Sequence, residues 1–378
     1  MMKVENKMIR QSSRKEPVSP KKPRTKENPI RVLTVDDSAL MRLTLSRHLN
    51  QFSNIKVIGQ ASNGYEMLSM VEESPPDVVV LDIEMPEMNG LEALDQLMRI
   101  HPLPVIMLSH LTDATLQALE LGAVDFVVKP QPGVTIAETV NTLVEKIYHA
   151  VDAKVEYRPK RLEERVERRG AISSMQDVEN DAPKRVSPLE LSDTLLAVAS
   201  STGGPSALTA FFSAIPAGLA LGGVIVQHMP VGFTTILSQR LNRIAGYKVI
   251  EATNGARLMR GQFLLAPGGF HLTFDRHGVA SLNEGPTVNG VRPAADVTFN
   301  SMAAAFGARM TVVVLTGMGN DGFVGATEIH RRGGRILAQD EKSAVVFGMP
   351  RRIVESNMAE YVATPALLGA YLADKVVR

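Results

Sequence analysis

The sequence predicts two α/β units joined by a charged linker. Three observations lead there. Apolar, β-branched runs alternate with amphipathic stretches over 30–150 and again over 191–378. Between them, residues 151–190 carry charges of both signs, then Ser, Asp, Asn and Pro, with few large apolar side chains. The length of 378 residues suits two domains, and 44% hydrophobic residues can fill two sizeable cores.

Taken in order, residues 1–29 are rich in Lys, Arg, Ser and Pro without apolar periodicity. They read as a disordered basic tail, a solvated extension. Strands are expected over 30–35, 56–61, 77–81, 105–109 and 125–128, with helices between them. After Lys129-Pro130, the spacing of Val140, Leu143, Val144 and Ile147 predicts a closing helix. Five alternating βα units predict a doubly wound, mostly parallel sheet. The linker is expected over 151–190, helical in its charged first part. In the second unit, strands are expected over 194–199, 223–226, 263–265, 311–315 and 335–338. A hairpin over 271–275 and 279–282 turns at Arg276-His277-Gly278. Helices are expected after Pro205, after Gly232, over 297–306, after Gly322, and from 365 to the end.

Composition excludes several functions. A formal net charge of +1 argues against a chain devoted to nucleic-acid binding. No tryptophan and six tyrosines leave little for base-stacking platforms. With no cysteine there is no disulfide, thiolate metal site or cysteine nucleophile. No apolar run has the length of a signal peptide or a membrane span, so a soluble cytosolic protein is expected.

The first unit carries five polar residues at strand ends. Asp36 and Asp37 follow the first strand, and Asp82 ends the third. Ser109 ends the fourth and Lys129 follows the fifth. Strand carboxyl ends form the ligand crevice of such a sheet. Three converging carboxylates repel one another, and a hard cation such as Mg2+ relieves the repulsion. One carboxylate can then accept a phosphoryl group, whose oxygens a lysine and a hydroxyl bind. Singly, each acid reads as a cap or a solvated loop residue.

The second unit offers a hydroxyl, an imidazole and a carboxylate at strand ends: Ser201, His228 and Asp321. A base that takes the serine proton and an acid that orients the base are the parts of a nucleophilic hydrolase. Thr202-Gly203-Gly204 lack bulk and precede a helix, which suits an oxyanion hole; a phosphate cradle is the equal alternative. Met318, in the glycine-rich turn before Asp321, offers another backbone N–H. For Asp321 the plain alternative is an N-cap of the helix that follows. The chain order Ser, His, Asp matches none of the three familiar triad orders.

Residues 30–150 resemble the receiver domain of two-component response regulators. The carrying motifs are Val35-Asp36-Asp37-Ser38, Leu81-Asp82-Ile83-Glu84-Met85-Pro86, Ser109 and Val128-Lys129-Pro130. The resemblance implies a flavodoxin-like fold, Asp82 as phosphoacceptor, and Asp36 and Asp37 as Mg2+ ligands together with Asp82. It also implies a switch made of Ser109, Phe126 and Lys129. Residues 194–378 resemble the catalytic domain of chemotaxis response regulator protein-glutamate methylesterases. Here the carriers are Ser200-Ser201-Thr202-Gly203-Gly204-Pro205, Gln227-His228-Met229-Pro230, Ala266-Pro267-Gly268-Gly269 and Asn289-Gly290-Val291-Arg292-Pro293. Residues 315–322, Ala338-Gln339-Asp340 and Gly348-Met349-Pro350 complete the set.

That family also joins a receiver to this domain. The resemblance implies a phosphorylation-activated serine hydrolase. It would demethylate glutamyl methyl esters, and deamidate glutamines, on methyl-accepting chemoreceptors. Ser201, His228 and Asp321 would be the triad, with Thr202, Gly203 and Met318 at the oxyanion. A histidine kinase is the implied phosphodonor, no cofactor is expected in the esterase site, and no nucleic acid as partner. The chain departs from the family at Ala199-Ser200, where Gly-Ala is usual, and in a short loop after Ser109, His110-Leu111-Thr112-Asp113-Ala114. Two other readings differ in class. A binding module without turnover would commonly lose a triad residue. A DNA-binding regulator would need a basic recognition helix in the back half, and none stands out.

Overall fold

The computed structural model describes residues 25–110, 112–155, 184–190 and 193–376. Most of the expected tail, and residues 156–183 of the expected linker with its charged stretch, lie outside the described residues.

The first unit alternates strand and helix from the start: β1 (Ile30–Val35), α1 (Ala39–Leu49), β2 (Ile55–Ala61), α2 (Gly64–Glu73), β3 (Val78–Asp82), α3 (Gly90–Ile100), β4 (Val105–Ser109), α4 (Asp113–Leu121), β5 (Asp125–Val128) and α5 (Ile136–Ala150). Its five strands run in the order β2-β1-β3-β4-β5, all parallel. Every residue of β3 and β4 is buried, as a parallel sheet covered on both faces requires. Local chemistry sets the helix starts. Asn89 and Glu92 form a reciprocal capping box on α3, and Thr135 and Glu138 one on α5. Val140, Leu143, Val144 and Ile147 are the buried stripe of α5 that the spacing predicted.

The second unit begins with a two-residue strand inside the expected linker. This β6 (Ser187–Pro188) pairs antiparallel with β10 (Met259–Arg260). The main sheet holds β7 (Thr194–Ser200), β8 (Leu221–Gln227), β9 (Lys248–Glu251), β11 (Gln262–Leu265), β14 (Met310–Val314), β15 (Arg335–Gln339) and β16 (Tyr361–Ala363). Their order is β16-β15-β14-β7-β8-β11-β9, parallel throughout. The expected hairpin is β12 (His271–Phe274) with β13 (Ala280–Asn283). Among the described residues six helices cover the sheet: α6 (Gly204–Ala214), α7 (Phe233–Ile244), α8 (Ala295–Phe306), α9 (Phe323–Arg331), α10 (Met349–Glu355) and α11 (Pro365–Val376). Sequence reasoning did not find the edge strands β9 and β16; at four and three residues they are too short to show a period.

The strand order switches sides between β7 and β14, and the carboxyl ends of the parallel neighbours β14, β7 and β8 lie side by side, which is where an open α/β sheet forms its crevice. The two units are packed together. Leu116, Leu119 and Phe126 of the first belong to one continuous buried apolar cluster with Ala207, Phe233 and Leu237 of the second.

Candidate active site and acidic pocket

Ser201, His228 and Asp321 follow the three adjacent central strands β7, β8 and β14. His228 Nε2 lies 2.8 Å from Asp321 Oδ2, with both side chains almost wholly buried. The second ring nitrogen, Nδ1, is thereby left for the serine side. This is the reverse of the chymotrypsin-type arrangement, in which Nδ1 faces the acid. Among the described residues no hydrogen bond joins Ser201 Oγ to His228; catalytic hydrogen bonds commonly close only with substrate bound.

The loop around Ser201 is fixed from both sides. Its N–H donates to Thr316 O at 3.0 Å, and the Gln227 amide donates to its carbonyl at 2.9 Å. Gln227 Oε1 meanwhile accepts the Ser200 hydroxyl at 2.7 Å. Ser200 is fully buried and engaged, while Ser201 is partly exposed. The two serines of the departing motif therefore have different surroundings. Gly317 approaches so closely that a Cβ there would stand 2.8 Å from the Ser201 Cβ. This brings the Thr316–Met318 turn against the serine. Helix α6 starts at Gly203 with no side-chain cap. Among the described residues no hydrogen bond takes up the backbone N–H of Thr202 or Met318. N–H groups free at a helix start and beside a serine are the donors an oxyanion needs.

Asp321 has four donors. Oδ2 accepts His228 Nε2 and the Ala295 N–H at 2.5 Å; Oδ1 accepts the Asp296 N–H at 3.1 Å and Asn289 Nδ2 at 3.2 Å. Burial alone would raise this carboxyl. The hydrogen bond and charge of His228, and the N–H groups of Asp296 and Ala295, outweigh burial and hold it below its ordinary value. Asp321 does not cap the helix after it: α9 begins at Gly322 without a side-chain cap. It caps α8 instead, whose own N-cap, Ala294, has no side chain able to do so.

In the first unit Asp36, Asp37 and Asp82 bring one carboxylate oxygen each within 4.8 Å of the others. Asp36 and Asp82 are buried and Asp37 is exposed. Lys129 Nζ pairs with Asp82 at 2.6 Å and Asp36 at 3.1 Å. Burial pushes the Asp82 carboxyl up, with the Asp36 charge adding to it and Lys129 opposing. Burial also pulls Lys129 down, but its two carboxylate partners win and its ammonium is held above the ordinary value. The facing oxygens, Asp36 Oδ2 and Asp82 Oδ2, are buried without a hydrogen bond of good direction. Ion pairing to one ammonium leaves their lone pairs unused. Three carboxylates so placed, with one ammonium to balance them, fit a hard divalent cation. Ser109 Oγ is held by His110 O at 2.6 Å and shares a 2.7 Å hydrogen bond with Thr115 Oγ1 on α4.

The units meet beside Ser201. Thr202 Oγ1 donates to Asp125 Oδ2 at 2.6 Å, and the Ser206 hydroxyl donates to Leu119 O at 2.8 Å. The Phe126 ring lies 4.3 Å from that of Phe233 on α7, and Arg240 Nε donates to Glu120 at 2.7 Å. Lys154 reaches Val345 O through its N–H and Glu341 O through Nζ.

Comparison with known proteins bears on both halves. The CheB methylesterase family model matches residues 196–372, and the response regulator receiver domain model matches residues 32–141. The protein-glutamate methylesterase/protein-glutamine glutaminase of Pyrococcus abyssi is 43% identical over 343 residues, 88% of this chain and 90% of that protein. The chain belongs to the protein-glutamate methylesterase/protein-glutamine glutaminase family. A family relative in Pseudomonas aeruginosa, numbered 2 in its name, is 41% identical over 93% of this chain and 98% of its own length. The crystal structure of the Thermotoga maritima CheB methylesterase catalytic domain covers 49% of this chain and 99% of that chain, at 36% identity and a TM-score of 0.47. The receiver brings a divalent-metal-dependent phosphorylation site with it. No helix among the described residues is long and apolar enough to cross a membrane.

Sequence reasoning quoted Gln227 and Asn289 only as motif letters and did not see Asp125, Thr115, Phe233 or Asp296. Asp125 and Phe233 carry no local signal, because their partners lie in the other unit. Asp296 stood just before an expected helix, the signal of an N-cap; the structure places it inside the first turn, and what it does there depends on Asp321 being near.

Proposed function

We propose that Ser201, His228 and Asp321 form the triad of a phosphorylation-controlled hydrolase acting on methyl-accepting chemoreceptors. The observation that carries the reading is the buried 2.8 Å contact of His228 with Asp321, beside a serine whose loop offers free N–H groups. Ser201 Oγ attacks the glutamyl carbonyl carbon and passes its proton to His228 Nδ1. The oxyanion is held by the backbone N–H groups of Thr202 and Met318, with Gly203 leaving room at the helix start. Collapse expels the methoxy group, which takes the proton from His228 and leaves as methanol. Water then attacks the acyl-enzyme, with His228 again the base, and glutamate is released. A glutamine side chain follows the same path with ammonia leaving. No cofactor takes part in this sequence of steps.

In the receiver, Asp82 is the phosphoacceptor. Asp36, Asp37 and Asp82 would hold Mg2+, which supplies charge neutralisation for phosphoryl transfer from a histidine kinase. Lys129 and Ser109 bind the added oxygens, and Ser109 must exchange its Thr115 partner to do so. Phe126, two residues before Val128, transmits the change because its ring packs on Phe233. Receiver and catalytic unit span 30–150 and 191–378, with the short strand at 187–188 attached to the latter. The test is methanol release from methylated receptor membranes, with and without a small phosphodonor. Release that needs Ser201 and rises with the phosphodonor supports the reading; binding without turnover makes the catalytic unit a docking module.

A further inference from the structure

Two helix starts exchange caps beneath the candidate triad. Asp321, just before α9, accepts the Ala295 and Asp296 N–H groups at the start of α8. Asp296, in the first turn of α8, accepts the Gly325 N–H of α9 at 2.8 Å. Each helix thus offers its positive end to a carboxylate on the other. The exchange brings two buried carboxylates together: burial pushes the Asp296 carboxyl up, and the Asp321 charge adds to it. One group stands between them. Asn289 Nδ2 donates to Asp296 Oδ2 at 3.1 Å and to Asp321 Oδ1 at 3.2 Å. Its backbone suits the task. Asn289 has φ 55° and Gly290 φ 78°, in a turn closed by Val288 and Val291. Asparagine is the side chain with an amide that tolerates this conformation.

We propose that Asn289 is a positioning residue for the hydrolysis: its carboxamide bridges Asp296 and Asp321 and holds Asp321 Oδ2 on His228. The proposal rests on Asp321 as the orienting acid. The titratable groups facing Asp321 are His228 from the loop after β8 and Asp296 from α8; the other groups on it are backbone N–H and the Asn289 amide. Without the amide, negative charge on Asp321 is less dispersed and stabilises the protonated imidazole. The base is then silenced up to a higher pH.

The test uses the full chain with phosphodonor, methylated receptor membranes and the pH profile of kcat/KM. Asn289→Gly keeps the turn and removes the donor; Asn289→Asp keeps the shape and adds a third carboxylate. Both are expected to lower kcat by about tenfold or more, the scale of a hydrogen bond to a charged group. KM should be little changed. The acid limb should move to higher pH, further in Asn289→Asp than in Asn289→Gly. An acid limb that does not move in either variant overturns the proposal, even if rate or Tm falls, since that pattern belongs to a turn residue. Asp321→Asn, measured alongside, separates the two readings. If it is inactive while the Asn289 variants keep the parent profile, only the role of Asn289 fails. If it is near normal, both readings fail.

Discussion

Thr202, the residue after the candidate nucleophile, donates its hydroxyl to the Asp125 carboxylate of the receiver at 2.6 Å. Asp125 is also paired with Lys146 at 2.6 Å and is followed by Phe126, whose ring packs on Phe233. Two consecutive receiver residues thus hold the loop after Ser201 and the helix after His228. The receiver does not merely lie near the site; it is bonded to the segment expected to bind the oxyanion.

Loosening that bond should raise the unphosphorylated rate. If the receiver docked as seen here is the closed arrangement and its release from Thr202 the open one, Asp125→Ala removes a hydrogen bond to a charged group, on the order of 1.5–3 kcal/mol, so the closed-to-open ratio falls about tenfold or more. Phe233→Ala should act in the same direction by removing the ring contact. Basal methanol release without phosphodonor is the measurement. Unchanged basal rates in both variants would show that the closed arrangement does not limit turnover.

The two serines separate cleanly. Ser201→Ala should abolish release and leave the fold intact. Ser200→Ala loses a buried hydrogen bond to Gln227, at a cost of about 1 kcal/mol, and should keep most activity with a small fall in Tm. An inactive Ser200→Ala with an active Ser201→Ala would move the nucleophile one residue back.

Asp321→Asn should cost turnover on the order of the 10⁴-fold seen when a triad aspartate is neutralised, because an amide favours the wrong histidine tautomer. It should also cost stability, since the cap of α8 weakens. The folded state holds this carboxyl below its ordinary value. Its stabilising share is therefore present above the unfolded value and is lost as pH falls through the folded one. The Tm gap between parent and Asp321→Asn should be widest at neutral pH and shrink in acid. A gap that does not change with pH argues against an ionised, capping Asp321.

Much of this was legible in the sequence, for reasons that differ by residue. Strand ends read well because β3, β4, β8 and β14 are buried on both faces and so are continuous apolar runs. The start of β8 read two residues short, at Gly223 instead of Leu221; a Cβ on Gly222 would stand 2.1 Å from Met259 O, so the close approach of the neighbouring chain demands the glycine. Ser201, His228 and Asp321 could be named as candidates because the topology of an α/β sheet gathers strand ends. Asp125 and Asp296 could not, because their partners, Thr202 and Asp321, are distant in sequence. The N-cap reading of Asp321 had the right chemistry and the wrong helix, since propensity identifies a cap but not which helix start lies over it.

The acidic pocket gives a stability prediction with a definite sign. Burial holds the Asp82 carboxyl above its ordinary value. Such a group binds its proton more tightly folded than unfolded. Its contribution is fully present below the unfolded value and is lost as pH rises through the folded one. At neutral pH, without metal, the Asp82 carboxylate should therefore cost stability. Asp82→Asn should raise Tm at neutral pH, and the gain should vanish near pH 4, where the parent carboxyl is protonated. A divalent cation should raise the Tm of the parent and do so less for the variant. Asp82→Asn should also leave methanol release deaf to phosphodonor. A variant less stable than the parent at neutral pH would mean that the Lys129 ion pair outweighs burial.

The last prediction separates cover from activation. If the receiver restrains the catalytic unit through Asp125 and Phe126, removing it should raise the basal rate above that of the unphosphorylated whole. The place of the cut matters. The expected linker runs to 190, but Ser187–Pro188 pairs with Met259–Arg260, and Arg260 reaches Asp193 at 3.1 Å. A cut that removes residues 1–190 strips this strand pair; one that removes residues 1–183 keeps it. Excision also exposes Phe233, Ala207 and Leu237, part of the apolar cluster shared by the two units, so lower solubility is expected. The measurement is methanol release by the 184–378 fragment and by the whole chain, with and without phosphodonor. A fragment faster than the unphosphorylated whole, and insensitive to phosphodonor, fits restraint. A well-folded fragment no faster than the unphosphorylated whole would mean that phosphorylation activates by a new contact or by recruitment to the receptor. In that case the Asp125–Thr202 bond would be a structural joint and not a brake.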